Sequence, residues 1–384
     1  MKMNFGKLLL FLTILILLTA CSAPPSDAKE KAYNTAPAPA AAEAETVPEA
    51  LPTPAFEIVS APMLTQIEML DSQNGWAQAV NRILRTENGG QTWFDITPSD
   101  IPNDPAYAKS YFLDAQRGWV LIEDRDQPDA GMLFYTTNGG EFWSWHLVSF
   151  GRAEFAFSDL NNGYALFNLG AGAGSMGVSV WTTSNGGGDF VQVFLHEPGV
   201  EASMPMSGIK NGIAFRDPLN GWVTGSVPMD GVIWFYRTRD GGLSWEEQPM
   251  QMPASYENAQ TSTFAPHFFD LNVALLPVRL FGEESSMVFY RTSDGGETWM
   301  PTLPVPMSGK YDIASPNELI VWDGGATLYT SSDGGETWTF HATNWQPYDL
   351  LRSIDFVSTT EGWALSEEGV YRTKDGGKTW SKLP

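Results

Sequence analysis

Adjacent acidic residues are the side chains of this sequence that come closest to a catalytic arrangement. Glu283–Glu284 and Glu367–Glu368 are two such pairs. Two carboxylates can cleave a glycosidic bond as general acid and base when their environments separate their pKa values. Both pairs lie in short polar segments between predicted strands, where charged side chains are usually solvated. We therefore predict that the chain is not an enzyme and has no catalytic residue.

Metal and cofactor chemistry is equally poorly supported by the residue types. The four histidines (146, 196, 267 and 341) have no ligand spacing, and Cys21 is the only cysteine. The formal net charge of −23 repels phosphate backbones and anionic headgroups. The sequence thus predicts no metal site, no cofactor and no nucleic-acid partner.

A short motif that could be mistaken for a calcium loop recurs seven times along the chain. Each copy has an Asn or Asp followed by two glycines, and most end in Thr-Trp. Successive copies start 39 to 55 residues apart, the length of a four-stranded propeller blade. The Asx residues that open the copies are Asn88, Asn138, Asn185, Asp240, Asp294, Asp333 and Asp375.

Turn chemistry explains this motif better than metal binding does. An Asx-Gly pair between two β-rich runs favours a hairpin, because the turn needs positive φ, and the Asx side chain can accept hydrogen bonds from amides just ahead. Each copy offers one carboxylate, where a calcium loop gathers several. Six copies place a tryptophan at the start of the outgoing strand, where its ring is expected to cover the hairpin: Trp93, Trp143, Trp245, Trp299, Trp338 and Trp380.

A second turn motif precedes the first in most copies and completes the predicted architecture. It runs from Asp71 to Trp76 in the first copy and returns as Gly362-Trp363-Ala364 in the last. Apolar alternation upstream supplies an inner strand. We predict an all-β fold over residues 56–384, a seven-bladed β-propeller with four-stranded blades, each closed by the Asx-Gly-Gly hairpin.

The paired motifs resemble a known family. The hairpin motif is similar to the Asp-box, or bacterial neuraminidase repeat. Its combination with Gly75-Trp76-Ala77 in the first copy and Gly369-Val370-Tyr371 in the last resembles the photosystem II stability and assembly factor family. The resemblance covers nearly all of 65–384. It implies a seven-bladed propeller that binds protein partners, membrane-protein subunits in particular, on the lumenal or periplasmic side of a membrane.

A carbohydrate-active propeller, either a divergent sialidase or a glycan-binding module, is the alternative. A sialidase site resembles three arginines that clamp a carboxylate. Here Arg85, Arg237, Arg291 and Arg372 recur just before the Asp-boxes, so they belong to the repeat. Arginines that converge on the central channel would favour this alternative. An acidic or apolar channel mouth would favour a scaffold.

The N-terminal region has the features of a lipoprotein export signal. Residues 1–21 combine two lysines, an apolar run too short to span a membrane, and Leu18-Thr19-Ala20-Cys21. The last four residues resemble the bacterial lipobox, which implies lipidation of Cys21. Residues 22–55 are rich in Ala, Pro and Glu and are predicted to form a disordered tether. We expect a secreted protein held by this lipid on the outer face of the cell membrane or in the periplasm.

The predicted loops that vary most in length fall on one face of the disc. Alternating strand direction puts both turn motifs on one face, and puts the second-to-third loops and inter-blade links on the other. Variable loops on a rigid scaffold often carry binding. The segments are 123–131, 168–177, 196–211, 249–266 and 341–350. The candidate partner-binding residues in or next to them are Arg125, Asp126, Tyr256, His267, Trp345 and Tyr348.

Overall fold

Antiparallel strands make up nearly all of the regular structure. The structure is a computed structural model, and it describes residues 56–101, 108–127 and 129–384. The export signal with Cys21 and the tether at 22–55 lie outside the described residues. Within the described ranges, a three-residue 3-10 turn at Tyr348–Leu350 is the one helical element. No helix in this part of the chain has the length and apolar character needed to cross a membrane.

The strands fall into seven consecutive groups, here named units 1 to 7. Units 1 to 3 span 58–95, 108–148 and 153–196. Unit 1 contains β1 (Ile58–Val59), β2 (Leu64–Met69), β3 (Gly75–Ala79), β4 (Arg82–Thr86) and β5 (Trp93–Asp95). Unit 2 contains β6 (Ala108–Phe112), β7 (Gly118–Glu123), β8 (Gly131–Thr136) and β9 (Ser144–Val148). Unit 3 contains β10 (Ala153–Phe157), β11 (Gly163–Gly172), β12 (Ser175–Thr183) and β13 (Val191–His196).

Units 4 to 7 span 209–247, 260–301, 310–342 and 351–382. Unit 4 contains β14 (Ile209–Phe215), β15 (Gly221–Ser226), β16 (Phe235–Thr238) and β17 (Glu246–Glu247). Unit 5 contains β18 (Gln260–Thr263), β19 (His267–Phe268), β20 (Ala274–Phe281), β21 (Ser286–Thr292) and β22 (Met300–Pro301). Unit 6 contains β23 (Lys310–Ile313), β24 (Leu319–Trp322), β25 (Thr327–Ser331) and β26 (Thr339–Ala342). Unit 7 contains β27 (Leu351–Phe356), β28 (Gly362–Ser366), β29 (Gly369–Thr373) and β30 (Ser381–Lys382).

Successive strands of each unit pair antiparallel as a meander, except that β1 pairs with β5 and β18 pairs with β20, and this confirms the all-β prediction. In units 2, 6 and 7 every residue of the second strand is buried, because both faces of that strand are covered by neighbouring units. The fourth strand is short and largely exposed.

Four details differ from the sequence prediction. Unit 1 has a fifth strand, because β1 pairs with the outer side of β5. The first strand of unit 5 is split into β18 and β19, both of which pair with β20. The Ser226↔Ser262 pair joins units 4 and 5 into one sheet. The prediction of a loop at 168–177 is wrong, because β11 and β12 continue through this segment as a paired hairpin with a bulge near Asn168.

The hydrophobic cores lie between units rather than within them. Trp222 of unit 4 packs in one cluster with Leu276 and Trp299 of unit 5. Leu84 of unit 1 shares a cluster with Trp363 of unit 7. Each sheet therefore buries its faces only against its neighbours, and the first and last units do so against each other.

Candidate functional site

The Asp-box corners are closed hydrogen-bond networks, as unit 5 illustrates. The Thr292 hydroxyl donates to Asp294 Oδ1 at 2.8 Å and accepts from the Gly296 amide at 2.8 Å. The Thr298 amide donates to Asp294 Oδ1 at 3.0 Å, and its hydroxyl donates to Oδ2 at 2.6 Å. Gly295 and Gly296 have φ of 73° and 86°, which side chains rarely adopt.

The same lock recurs in the other corners. Each Asx oxygen accepts the amide of the residue four positions later, at 2.8 to 3.1 Å, including the degraded copy at Asn185. Hydrogen bonds from the Thr337 hydroxyl and amide and from the Ser331 hydroxyl lower the pKa of Asp333 to about 2. The side-chain oxygens of the Asx residues thus accept hydrogen bonds from the turn itself. The Asx residues concerned are Asn88, Asn138, Asn185, Asp240, Asp333 and Asp375.

The hydroxyl residue two positions before each Asx is a part of the corner that was not predicted from the sequence. It is buried in every copy and bonds both the Asx side chain and the second glycine. The signal was present in the sequence, because a Thr or Ser stands at that position each time. These residues are Thr86, Thr136, Thr183, Thr238, Thr292, Ser331 and Thr373.

The corner tryptophans belong to the packing between units. Trp143 Nε1 donates to the Ile96 carbonyl of the loop after unit 1 at 2.7 Å. Trp338 Nε1 donates in the same way to Leu303 at 2.9 Å. The others are buried in the inter-unit cores, and this accounts for their place in the repeat: Trp93, Trp245, Trp299 and Trp380.

The arginines that precede the corners reach into the next unit. Arg85 Nη1 donates to the Gly139 carbonyl at 2.8 Å, and Arg372 Nη2 donates to Ser72 O at 2.9 Å. Arg237 is buried and bonds the carboxylate of Glu297 in unit 5. These guanidinium groups join neighbouring sheets and are distributed around the molecule. They do not converge on one point as a carboxylate clamp would require.

One layer of residues on the inner strands, with one residue from each unit, contains three acidic side chains. In each unit this residue pairs with the second residue of the second strand. Three of the seven are acidic, and a fourth is the candidate His267. The layer consists of Glu68, Tyr111, Ala156, Ala214, His267, Asp312 and Asp355.

The three acidic residues of this layer are half-buried and influence one another. Burial, and then the charge of Asp312, raise the pKa of Glu68 to about 7. Burial raises the pKa of Asp312 to about 6. Burial, and then the charges of Asp312 and Glu68, hold the pKa of Asp355 well above its usual value. The centre of the inner strands is therefore acidic.

Two of these carboxylates also link inner strands of neighbouring units. Asp312 Oδ2 accepts the Phe356 amide at 2.6 Å, from unit 6 to unit 7. Asp355 Oδ2 accepts the Met69 amide, from unit 7 to unit 1. Among the described residues no three or more His, Cys, Asp or Glu side chains form a group that could hold a metal ion. The acids act as structural acceptors.

The candidate partner-binding residues lie in segments that belong to different units. Arg125 and Asp126 are exposed between β7 and β8. The Tyr256 hydroxyl bonds Ser286 Oγ at 2.8 Å. Tyr348 is exposed beside unit 7.

Two of the predicted placements are corrected. His267 lies in β19 and in the inner-strand layer, because the first strand of unit 5 resumes after the break at Phe264–Pro266. Trp345 is half-buried, with its ring stacked on Tyr371 at 3.7 Å, so much of its surface is used in packing.

The two glutamate pairs lie in exposed turns, as expected. Glu283 and Glu284 sit between β20 and β21, and Glu367 bonds Arg352 Nη2 at 3.3 Å.

Comparison with known proteins agrees with this geometry. The BNR/Asp-box repeat model matches residues 371–382, which hold the last corner. YCF48 bound to D1 peptide has a TM-score of 0.52 at 19% identity, over 84% of this chain and 96% of that chain. The chain contains a BNR/Asp-box repeat and has a β-propeller fold similar to that of YCF48. No curated protein matches this propeller in sequence.

Carbohydrate-active propellers are also similar to it. The GH74 xyloglucanase from Xanthomonas campestris has a TM-score of 0.55 at 13% identity, over 85% of this chain and 55% of that chain. This chain thus spans about half of that enzyme. A PL25 ulvan lyase has a TM-score of 0.48 at 11% identity, over 85% of this chain and 95% of that chain. At these identities the likenesses establish the fold alone.

Proposed function

We propose that this propeller is a non-catalytic scaffold that binds a protein partner outside the cytoplasmic membrane, to which the lipid on Cys21 anchors it. The proposal rests on the bonding partners of the ionisable side chains in the repeat. The Asp-box carboxylates and the arginines before them are bonded within corners or between units. They hold the scaffold together and are not disposed for catalysis. YCF48, whose structure holds a D1 peptide, supports a peptide or protein as the ligand.

In this proposal the seven units close into a seven-bladed ring. Trp119 Nε1 of unit 2 donates to the Gly186 carbonyl in the corner of unit 3 at 2.9 Å. Trp363 Nε1 of unit 7 makes the equivalent bond to Gly89 in unit 1 at 3.0 Å. Unit 7 therefore contacts unit 1 through the same kind of hydrogen bond that unit 2 makes to unit 3. Closure leaves no sheet face open at either end, which favours one stable ring.

The partner is expected on the face opposite the Asp-box corners. Antiparallel order puts both turn motifs at one end of the strands, where the Gly89 amide bonds the Gln73 carbonyl at 2.8 Å. The loop that holds Arg125 and Asp126 and the links at 197–208, 248–259 and 343–350 lie at the other end. These loops present Arg125, Asp126, Tyr256 and Tyr348, and we propose that they form the partner-binding face.

A carbohydrate-active propeller is the competing function, on the likeness to the xyloglucanase. The sialidase form of that function needs free arginines at the centre. Arg152 Nε instead bonds Glu123 Oε1 at 2.9 Å, and Arg352 bonds Glu367. The acidic inner layer also matches the channel expected of a scaffold.

Affinity capture of the tagged lipoprotein from its own membranes tests the proposal. We expect one or a few protein partners at near-stoichiometric yield, identified by mass spectrometry, and no release of sugar from xyloglucan or sialylated substrates. A double variant, Arg125→Ala with Tyr348→Ala, should lower the yield, and Thr298→Ala on the Asp-box face should leave it unchanged. Glycan hydrolysis without any captured protein would contradict the proposal.

A further inference from the structure

The outer edges of the units differ in how they are protected. An unpaired edge strand can pair with another chain, so proteins usually blunt such edges with charge, proline or a covering segment. The outer strand of unit 4 is Glu246–Glu247, and that of unit 5 contains Pro301. In unit 1 the edge of β5 is covered by β1.

Strand β9 of unit 2 lacks these protections. It is five residues long and is the last strand of its sheet, with no further strand beside it in the described part of the chain. It exposes 42% of Trp145 and 69% of Leu147, and Phe142 just before it is 72% exposed. The outer strands β13 and β26 each expose a single large apolar side chain, Val191 and Phe340. Adjacent exposed apolar residues of this kind mark interaction sites.

A groove runs beside Trp145 of β9, between units 1 and 2. It has a volume of about 310 Å³, with Ile96, Phe134 and Trp143 among its apolar lining residues. Its charged lining residues are Asp95, Asp100 and Glu141, without a basic side chain. Arg82 pairs with Asp95 at 2.6 Å, and Trp145 Nε1 donates to Asp100 Oδ2 at 3.3 Å. Among the described residues, no cation pairs with Asp100 or Glu141, so both negative charges can attract a basic ligand.

The chain itself shows that an outer edge of this propeller accepts an added strand. Residues Ile58 and Val59 pair antiparallel with Phe94 and Trp93, and the Asp95 amide donates to the Glu57 carbonyl at 2.8 Å. The groove beside β9 lies against this covered edge. An added strand on β9 would gain the same backbone bonds and place alternate side chains over Trp145 and Leu147.

We propose that the edge of β9 binds an extended segment of the partner protein, one whose apolar residues alternate with lysine or arginine. Charge complementarity with Asp100 and Glu141 selects the basic residues. The edge ends at Val148, opposite Gly131 and beside the loop that holds Arg125 and Asp126. This inference rests on the proposed protein-binding function and gives its partner a surface and a chemistry.

Binding of short synthetic peptides to the full chain tests the proposal by isothermal titration calorimetry. A peptide of alternating valine and lysine should bind, and the same peptide with glutamate in place of lysine should not. Leu147→Lys adds a charge to the exposed edge and should weaken binding about ten-fold or more. Phe340→Lys, at an equally exposed site on β26, is the matched control and should leave affinity unchanged.

A second variant separates charge from edge pairing. Asp100→Asn combined with Glu141→Gln should remove the preference for the lysine peptide. No binding to the wild type, equal weakening by Leu147→Lys and Phe340→Lys, or self-association of the chain through Leu147 would each overturn the inference. If affinity capture still returns a partner that depends on Arg125 and Tyr348, the scaffold function survives such a result. If affinity capture also returned no partner, both the proposed scaffold function and this inference would be contradicted.

Discussion

At the scale of single residues, the Asp-box corner of unit 5 combines a buried hydroxyl with an exposed Asx side chain. The buried hydroxyl of Thr292 bonds both Asp294 and the Gly296 amide. Thr298, in contrast, is exposed, and its hydroxyl bonds a carboxylate oxygen that water can also reach. A buried amide that loses its partner costs about 1–3 kcal/mol, whereas an exposed one can bond water.

We therefore expect Thr292→Val to lower the free energy of unfolding by about 1–3 kcal/mol, and Thr298→Val to lower it by less than about 1 kcal/mol. Urea denaturation of the two variants beside the wild type measures the difference. Equal losses would mean that the buried hydroxyl has no special role in the corner.

At the scale of elements, the link between units 3 and 4 is held by one lysine. Lys210 is buried, and its Nζ donates to the carbonyls of Pro205 at 2.7 Å and Met206 at 2.8 Å. It also bonds Met176, Ser207 and Gly208 at 3.0 to 3.2 Å. Burial lowers the pKa of this ammonium group to about 8. The charge is compensated by backbone dipoles, so the link is ordered through Lys210.

Lys210→Met keeps the aliphatic stem but leaves these carbonyls without their donor. We expect a loss of about 1–3 kcal/mol in unfolding free energy and faster proteolytic cleavage within 197–208. Lys374→Met changes an exposed lysine and should alter neither quantity. Unchanged cleavage in the Lys210 variant would show that the link is held by other contacts.

At the scale of the whole molecule, the acidic inner layer couples stability to pH. The folded pKa values of Glu68 and Asp312 lie above their usual values, at about 7 and 6. At these two carboxyls the folded protein therefore binds more protons than the unfolded chain between about pH 4 and 7, and their contribution to stability falls as pH rises through that window. The lowered pKa of Asp333 acts at lower pH, where stability is lost as pH falls from about 4 through 2.

We expect the melting temperature to be lower at pH 8 than at pH 5. Asp355→Asn keeps an oxygen that can accept the Met69 amide but removes one charge from the layer. It should raise the melting temperature at pH 8 by at least about 2 °C and have less effect at pH 5. Asp349→Asn at an exposed position is the control. A wild-type melting temperature that rises from pH 5 to pH 8 would contradict this account of the centre.

Features that depend on residues close together in the sequence could be predicted, whereas features that depend on residues far apart could not. The corners and their tryptophans follow from turn chemistry within a few residues, and Asn185 keeps its corner although its copy is degraded. The acidic layer brings Glu68 together with Asp312 and Asp355, which lie 244 and 287 residues further along the chain, so only the strand register predicts their proximity. Likewise, no short-range pattern in Ile58–Val59 distinguishes a covering strand from a linker, and the side chain of Trp345 packs on Tyr371 only once unit 7 is folded.

Site-specific photo-cross-linking in living cells tests the central claim most directly, because it records which face of the propeller touches a partner. A benzophenone side chain would replace Tyr348 on the proposed partner-binding face, or Thr298 on the opposite face, which carries the Asp-box corners. The scaffold account predicts a defined protein adduct from position 348 and none from position 298. An adduct from position 298 alone, or no protein adduct from either face, would contradict it.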